Sequence, residues 1–267
     1  PPPGPAPVAP SPSAAVSHGR YVGTVTIGDT DYFGDALLTE DGAIRLYVGG
    51  PGTSSGAIQG RTLGGTAQFV GNVELFRSQL SGTGVVIGQG CSEPAVVRFC
   101  IEPAPGAISL ASQSGDLRGE IQVITPEGRE IWRLDLVSWD NYYALPAGSR
   151  YPEGQYREEL AEIGAGGDLI LVVDGAGRLF FQSALTACTG NGTIAPHRDG
   201  AFNVHDVALT IAGCSGPYAH LNGEYDGLAT TSPSGYWDYD AMLRAWLSKQ
   251  LDDPSQPAAL TMWAQPL

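Results

Sequence analysis

The sequence predicts an all-β protein made of two tandem, related antiparallel β domains, each a barrel or a sandwich, with one short helix near the C-terminus. Three observations lead there. Short runs rich in β-branched and aromatic residues recur between Gly, Pro, Ser and Asp turns. Glycine and proline supply 37 and 20 of 267 residues while 42% are hydrophobic, so turns are frequent and two cores can still be filled. The second half also echoes the first: Asp41-Gly42-Ala43-Ile44-Arg45-Leu46-Tyr47 reads against Asp174-Gly175-Ala176-Gly177-Arg178-Leu179-Phe180, an offset of 133. Gly65–Leu75 against Asp199–Leu209 extends the match at 134, and Gly19-Arg20-Tyr21 against Gly154-Gln155-Tyr156 and Gly56-Ala57-Ile58 against Gly192-Thr193-Ile194 at 135 and 136. The matched positions are turn residues and apolar residues, which is a scaffold's signature.

Residues 1–18 are Pro, Ala and Ser with no charge before His18, a composition for an extended, polyproline-like leader. Its prolines Pro1, Pro2, Pro3, Pro5 and Pro7 are candidate interface residues, because docking an already stiff segment costs little entropy. The first β domain, 19–148, reads as strands at 20–27, 43–48, 67–76, 80–87, 95–101, 107–111, 117–124 and 130–139. Asp41-Gly42 and Gly128 mark turns. The stretch from Asn141 to Gly154 breaks the strand pattern and sets the boundary.

The second domain, 149–267, contributes further strands, including 201–211 and a closing strand over 259–263. Tyr156–Leu160 has helical composition, but its match to the first domain favours a strand. Met242, Leu243, Trp246, Leu247 and Leu251 fall at helical spacing, predicting a helix over about 238–250 with Asp238 as its N-cap.

The net charge of −14 disfavours nucleic acid and anionic lipid as partners. Four cysteines, with no CxxC pair and no zinc-like histidine cluster, favour disulfides and an oxidising compartment over metal binding. Local closure selects Cys91 with Cys100 and Cys188 with Cys214; free buried thiols are the alternative.

Cys188-Thr189-Gly190-Asn191-Gly192-Thr193-Ile194, then Phe202-Asn203-Val204 with Val207, Leu209-Thr210-Ile211 and Cys214, then Leu221–Ala229, resemble the C-terminal module of a group of proteobacterial envelope lipoproteins with a Pro-rich tether and small antiparallel β modules. The resemblance implies a periplasmic or cell-surface location, possible outer-membrane anchoring through an N-terminal lipid, a Cys188–Cys214 pair and no known catalytic residues. A more distant likeness, to the barrels of transferrin-binding surface lipoproteins, concerns architecture alone.

Three constellations carry potential chemistry. Asp29, Asp31, Gly34 and Glu40 fall at calcium-loop spacing, but Phe33 stands where an oxygen ligand is needed, so a solvated turn is the better reading and no metal is assigned. His205-Asp206, with His197 and His220 in reserve, has the composition of a general base, yet no nucleophile elbow accompanies it, and a solvent-facing strand histidine is favoured. Carboxylate pairs such as Asp238 with Asp240, or Glu158 with Glu162, fit glycoside hydrolysis only if a cleft separates them. Aromatics concentrate at Trp139, Tyr142, Tyr143, Tyr236, Trp237, Tyr239, Trp246 and Trp263. Of these Tyr236, Trp237, Tyr239 and Trp246 are candidate interface residues, domain-junction packing being the competing role. Asn191-Gly192 reads as a turn.

The expectation is an exported, non-catalytic binding or assembly component of the bacterial envelope, without a cofactor, that meets other envelope proteins. The alternatives are a small-ligand or carbohydrate binder and a hydrolase working in an interdomain groove.

Overall fold

The computed structural model describes residues 18–51, 66–89, 103–139, 143, 147, 153–160, 165–183, 187–232, 242–249 and 259–266. Within them the chain is all-β and forms two eight-stranded antiparallel sheets. The first contains β1 (Gly19–Ile27), β2 (Thr30–Leu38), β3 (Ala43–Pro51), β4 (Thr66–Phe76), β5 (Gln79–Gln89), β6 (Ala104–Gln113), β7 (Asp116–Thr125) and β8 (Gly128–Ser138). Each strand pairs with its neighbours in sequence, and β1 meets β8 from Tyr21↔Ser138 to Ile27↔Trp132, which closes a barrel. The second contains β9 (Gly154–Leu160), β10 (Ala165–Val173), β11 (Arg178–Ser183), β12 (Thr189–Pro196), β13 (His205–Ala212), β14 (Gly223–Ser232), β15 (Met242–Lys249) and β16 (Ala259–Pro266), with a 3-10 turn over Gly216–Leu221. It closes more narrowly, through Ala264↔Glu158, Gln265↔Arg157 and Pro266↔Tyr156.

Alternation along the strands fills each barrel. In β6 and β13 every second residue is buried, the period of a pleated strand with one face inward. The first interior holds Tyr21, Leu46, Phe69, Ile121 and Trp132. Phe69 needs room, and glycine supplies it: a Cβ on Gly71, Gly84 or Gly106 would come within 2.9, 2.7 or 2.9 Å of its ring. The second interior holds Leu171, Phe181, Ile194, Leu209, Tyr225 and Leu247. Cys188 and Cys214 are bonded and join the approach to β12 with the exit from β13. Asn222 braces that corner, accepting from Cys214 N–H and donating to Cys214 C=O, both at 3.0 Å.

The β2–β3 and β10–β11 hairpins turn alike. Thr39 N–H donates to Ala43 C=O and Gly42 N–H to Thr39 C=O, as Asp174 N–H does to Arg178 C=O and Gly177 N–H to Asp174 C=O. Gly42 and Gly177 both sit at positive φ, 87° and 74°, where L side chains are strained. Gly42 therefore corresponds to Gly177 rather than to Gly175, two residues from the sequence match. Beyond the hairpin that match lapses. Val73 N–H reaches Gly42 C=O where Ile194 N–H reaches Gly177 C=O, so β4 stands in the place of β12, while Asp199–Leu209 covers the next turn and part of β13. Glycines and alternating apolar residues recur in most strands of a small barrel, so matches form between strands that are not equivalent.

Four further expectations change. The C-terminal helix is not present: Met242–Lys249 is β15, paired with β14 and β16. Leu243, Ala245 and Leu247 face the barrel interior while Trp246 is buried on the opposite face, so apolar residues on both sides imitated a helical stripe. The acids of the candidate calcium loop are spread over the exposed β1–β2 turn (Asp29), β2 (Asp31) and the β2–β3 turn (Glu40), so the single solvated turn expected there is two turns with a strand between them. Asn191-Gly192 lies within β12, where a Cβ on Gly192 would meet Ala208 C=O at 2.0 Å. The strand at 201–211 starts at His205. Pro1, Pro2, Pro3, Pro5 and Pro7, Cys91 and Cys100, the run 95–101, and Tyr142, Tyr236, Trp237 and Tyr239 lie outside the described residues.

Candidate functional site

Charged and aromatic groups converge where the two barrels meet. The outer wall of β2 and β3 presents Asp35, Leu37, Arg45 and Tyr47, because their neighbours Ala36, Leu38, Ile44, Leu46 and Val48 point inward. Opposite them stand Leu228 of β14 with Arg244 and Trp246 of β15. Leu37, Tyr47, Tyr143, Val204, Leu228 and Trp246 form one buried apolar cluster, separate from both interiors.

At mid-height Asp35 is fully buried and holds two arginines. Arg20 donates through Nε to Oδ1 at 2.8 Å and through Nη2 to Oδ2 at 3.0 Å, both within the first barrel. Arg244 of the second barrel donates through Nη1 to Oδ2 at 2.7 Å. A forked guanidinium matches a carboxylate's two oxygens, and a second donor to the same group makes Asp35 the link between barrels. At one end of the seam Gln68, also fully buried, donates through Nε2 to Leu260 C=O at 3.4 Å.

At the other end, the β2–β3 turn of the first barrel meets the β12–β13 turn of the second. Arg198 Nη2 lies 3.0 Å from Asp41 Oδ2 and Nη1 3.9 Å from Glu40 Oε1. His197 Nε2 lies 3.5 Å from Asp41 Oδ1, and its Nδ1 lies 2.8 Å from Asp206 Oδ1. Burial raises the Asp41 carboxyl, but the Thr39 hydroxyl that donates to it, His197 and Arg198 together hold it below the usual carboxylate range. Burial pulls the Arg45 guanidinium down against the charges of Asp226 and Asp41.

The segment between the barrels is pinned to the same turn. Ala147 N–H donates to Gly200 C=O at 2.9 Å and Asn203 N–H to Tyr143 C=O at 3.0 Å. Tyr143 stacks on Phe202 with centroids 5.3 Å apart, and His18 packs edge-on against Phe202 at 4.6 Å. Burial, then the nearby charges of Glu40 and Asp41, push the Tyr143 phenol up, so it stays neutral. Buried Asn203 anchors the turn to β14, accepting from Thr231 Oγ1 at 2.9 Å and donating to Thr231 C=O.

His205 is not the solvent-facing residue expected from its strand. It is fully buried, and burial, offset in part by Asp206, depresses its pKa to about 4, so the ring is neutral near pH 7. Asp206 turns instead to His197, which sequence reasoning held only in reserve. Of the candidate aromatics, Trp246 is buried between the barrels and Trp139 is half exposed at the end of β8. His220 stands in the 3-10 turn at the far end of the second barrel. Arg20, Arg198 and Arg244 were missed, and Asp35 was read only as part of the calcium-like run Asp29–Asp35; the available signal was a charge inside otherwise apolar strands, as in Phe33-Gly34-Asp35-Ala36 and Met242-Leu243-Arg244-Ala245-Trp246.

Among the described residues no group of three or more His, Cys, Asp and Glu could hold a metal. What these groups do chemically is bind each other: one buried carboxylate bridging two guanidiniums, and one imidazole between two carboxylates. The chain matches no family model, no curated protein and no solved structure.

Proposed function

We propose that this chain is an exported, non-catalytic binding or assembly component of the bacterial cell envelope, tethered at its N-terminus and presenting two joined barrels to other envelope proteins. The observation that carries this reading is how the side chains are allocated. The described barrel interiors are lined by packed apolar residues, and the acids and bases a catalyst would use hold one barrel to the other. Large apolar side chains are left outside. Leu75 and Phe76, 52% and 69% exposed, tip the β4–β5 hairpin, and Val137 and Trp139, 41% and 50% exposed, finish β8 at the same end of the first barrel. In this reading they are the apolar contacts that the first barrel offers to a partner. The Cys188–Cys214 bond supports an oxidising compartment, and the uncharged Pro-rich leader supports a tether. With a charge of −14, membrane association would come through a lipid on that leader rather than through the barrels.

The test is photo-crosslinking from position 76 or 139 in the native envelope. A discrete adduct with one envelope protein, lost in the Phe76→Ser/Trp139→Ser variant that still folds, is the expected result. Retention of the same partner by that variant would move the binding surface elsewhere, and the absence of any envelope adduct would count against the reading.

A further inference from the structure

His197 stands between carboxylates from two different barrels. Its Nδ1 lies 2.8 Å from Asp206 Oδ1 in the same barrel, and its Nε2 lies 3.5 Å from Asp41 Oδ1 across the seam. Nε2 is buried and has no hydrogen-bond partner among the described residues. A neutral imidazole carries one N–H, and an ionised carboxylate only accepts. The short contact to Asp206 takes that hydrogen, which leaves Nε2 presenting a lone pair toward the Asp41 carboxylate. A second proton converts this mismatch into a donor–acceptor pair.

We propose that His197 is an acid-engaged latch: proton uptake at Nε2 makes an N–H donor to Asp41 and ties the β12–β13 turn of the second barrel to the β2–β3 turn of the first. The charges around the ring favour this. Asp206 faces it from β13 and Asp41 from the β2–β3 turn, where Glu40 stands next to Asp41 and against Arg198. Against these three carboxylates stand two guanidiniums, Arg198 beside Asp41 and Glu40, and Arg45 of β3, whose charge is shared between Asp226 and Asp41. Tyr143 packs nearby as a neutral phenol, and His18 packs tilted on Tyr143 and edge-on against Phe202. An imidazolium reduces the excess of negative charge in this set and a neutral ring does not.

The sign follows. The latch's contribution is complete below the imidazole's titration and fades as pH rises through it. His205, eight residues on, works in the opposite sense, because a proton there burdens a buried ring. The measurement therefore has to be made at His197 itself.

The test is an NMR titration of the His197 Cε1–H in the full chain, alone and with Asp41→Asn, which keeps the Thr39 contact while removing the charge. The expected result is a His197 midpoint lower by about half a unit or more in Asp41→Asn, a threefold or greater loss of proton affinity. An unchanged midpoint would overturn the proposal. A second reading compares protection factors of the Ala147 and Asn203 amides, whose hydrogen bonds hold the interbarrel segment on the turn. They should rise several-fold from pH 7.5 to 5.5 in the native protein and stay level in His197→Gln. An equal rise in His197→Gln would show that the turn tightens without the latch.

Discussion

Asp35 and His205 are the two buried polar side chains on which this fold depends most. Removing the Asp35 carboxylate takes from Arg20, almost wholly buried, and Arg244, mostly buried, the carboxylate they share. Asp35→Ala should then cost about 3–5 kcal/mol, the range for breaking a buried ion pair from one side. Urea unfolding at neutral pH measures it; a loss below about 1 kcal/mol would mean that the seam opens to water when the carboxylate goes. Replacing the whole triad by Met and Leu should cost far less, since no charge is then stranded.

His205 sets the acid limit. Its folded pKa, about 4, lies below the ordinary histidine value near 6.5, so the unfolded chain takes up the proton first. Stability from the neutral ring is complete above about pH 6.5 and is lost as pH falls toward 4, by roughly 2–3 kcal/mol. Unfolding free energies measured across that window should fall toward acid in the native protein, and in His205→Leu that fall should be lost, leaving at most the opposite slope of the His197 latch.

At the scale of elements, turns shape both barrels and, among the described residues, one disulfide staples the second. Gly42 combines positive φ with a Cβ position 2.1 Å from Val73 C=O, whereas Gly115, at φ 92°, faces open space. Gly42→Ala should cost about 2–3 kcal/mol and Gly115→Ala about 1 kcal/mol, the difference being the clash. Equal losses in thermal unfolding would show that the hairpin yields. The Cys188–Cys214 bond spans 26 residues and should contribute about 3 kcal/mol by restricting the unfolded chain. Comparison with Cys188→Ala/Cys214→Ala under oxidising conditions measures that contribution.

Which elements were legible follows from how many faces each strand buries. β6, β7 and β8 bury one face and alternate or nearly so, and their runs read directly as strands. β15 buries both faces, one in its barrel and one against the other barrel, and the resulting MLRAWL pattern matched a helix equally well. β2 was obscured for a related reason. Asp35 reads as a turn or ligand acid when the sequence alone is seen, and only the second barrel explains a carboxylate in the middle of a strand. The candidate site was least legible of all, because Asp35 and Arg244 lie 209 residues apart and nothing local links them.

At the scale of the whole molecule, the seam makes the two barrels one body. Apolar contact at Leu37, Tyr47, Leu228 and Trp246 supplies area, and the polar contacts at mid-height and at both ends set the orientation. Trp246→Ala should cost about 3–5 kcal/mol, a core-sized loss for a side chain on the outside of its own barrel. Two barrels bearing separate charges on their facing walls would otherwise remain hydrated and drift. Joined, they hold the apolar tips of the first barrel at a fixed distance from the second barrel, as the proposed presenting role requires. The most direct measurement is denaturant-dependent hydrogen exchange of the Arg244→Ala variant, read separately in strands β6–β8 and β11–β13. If the seam joins the barrels, a change in the second barrel should lower the opening free energy of the first as well, by about 1 kcal/mol or more. A loss confined to β11–β13, with β6–β8 unchanged, would show two barrels that fold side by side without depending on each other.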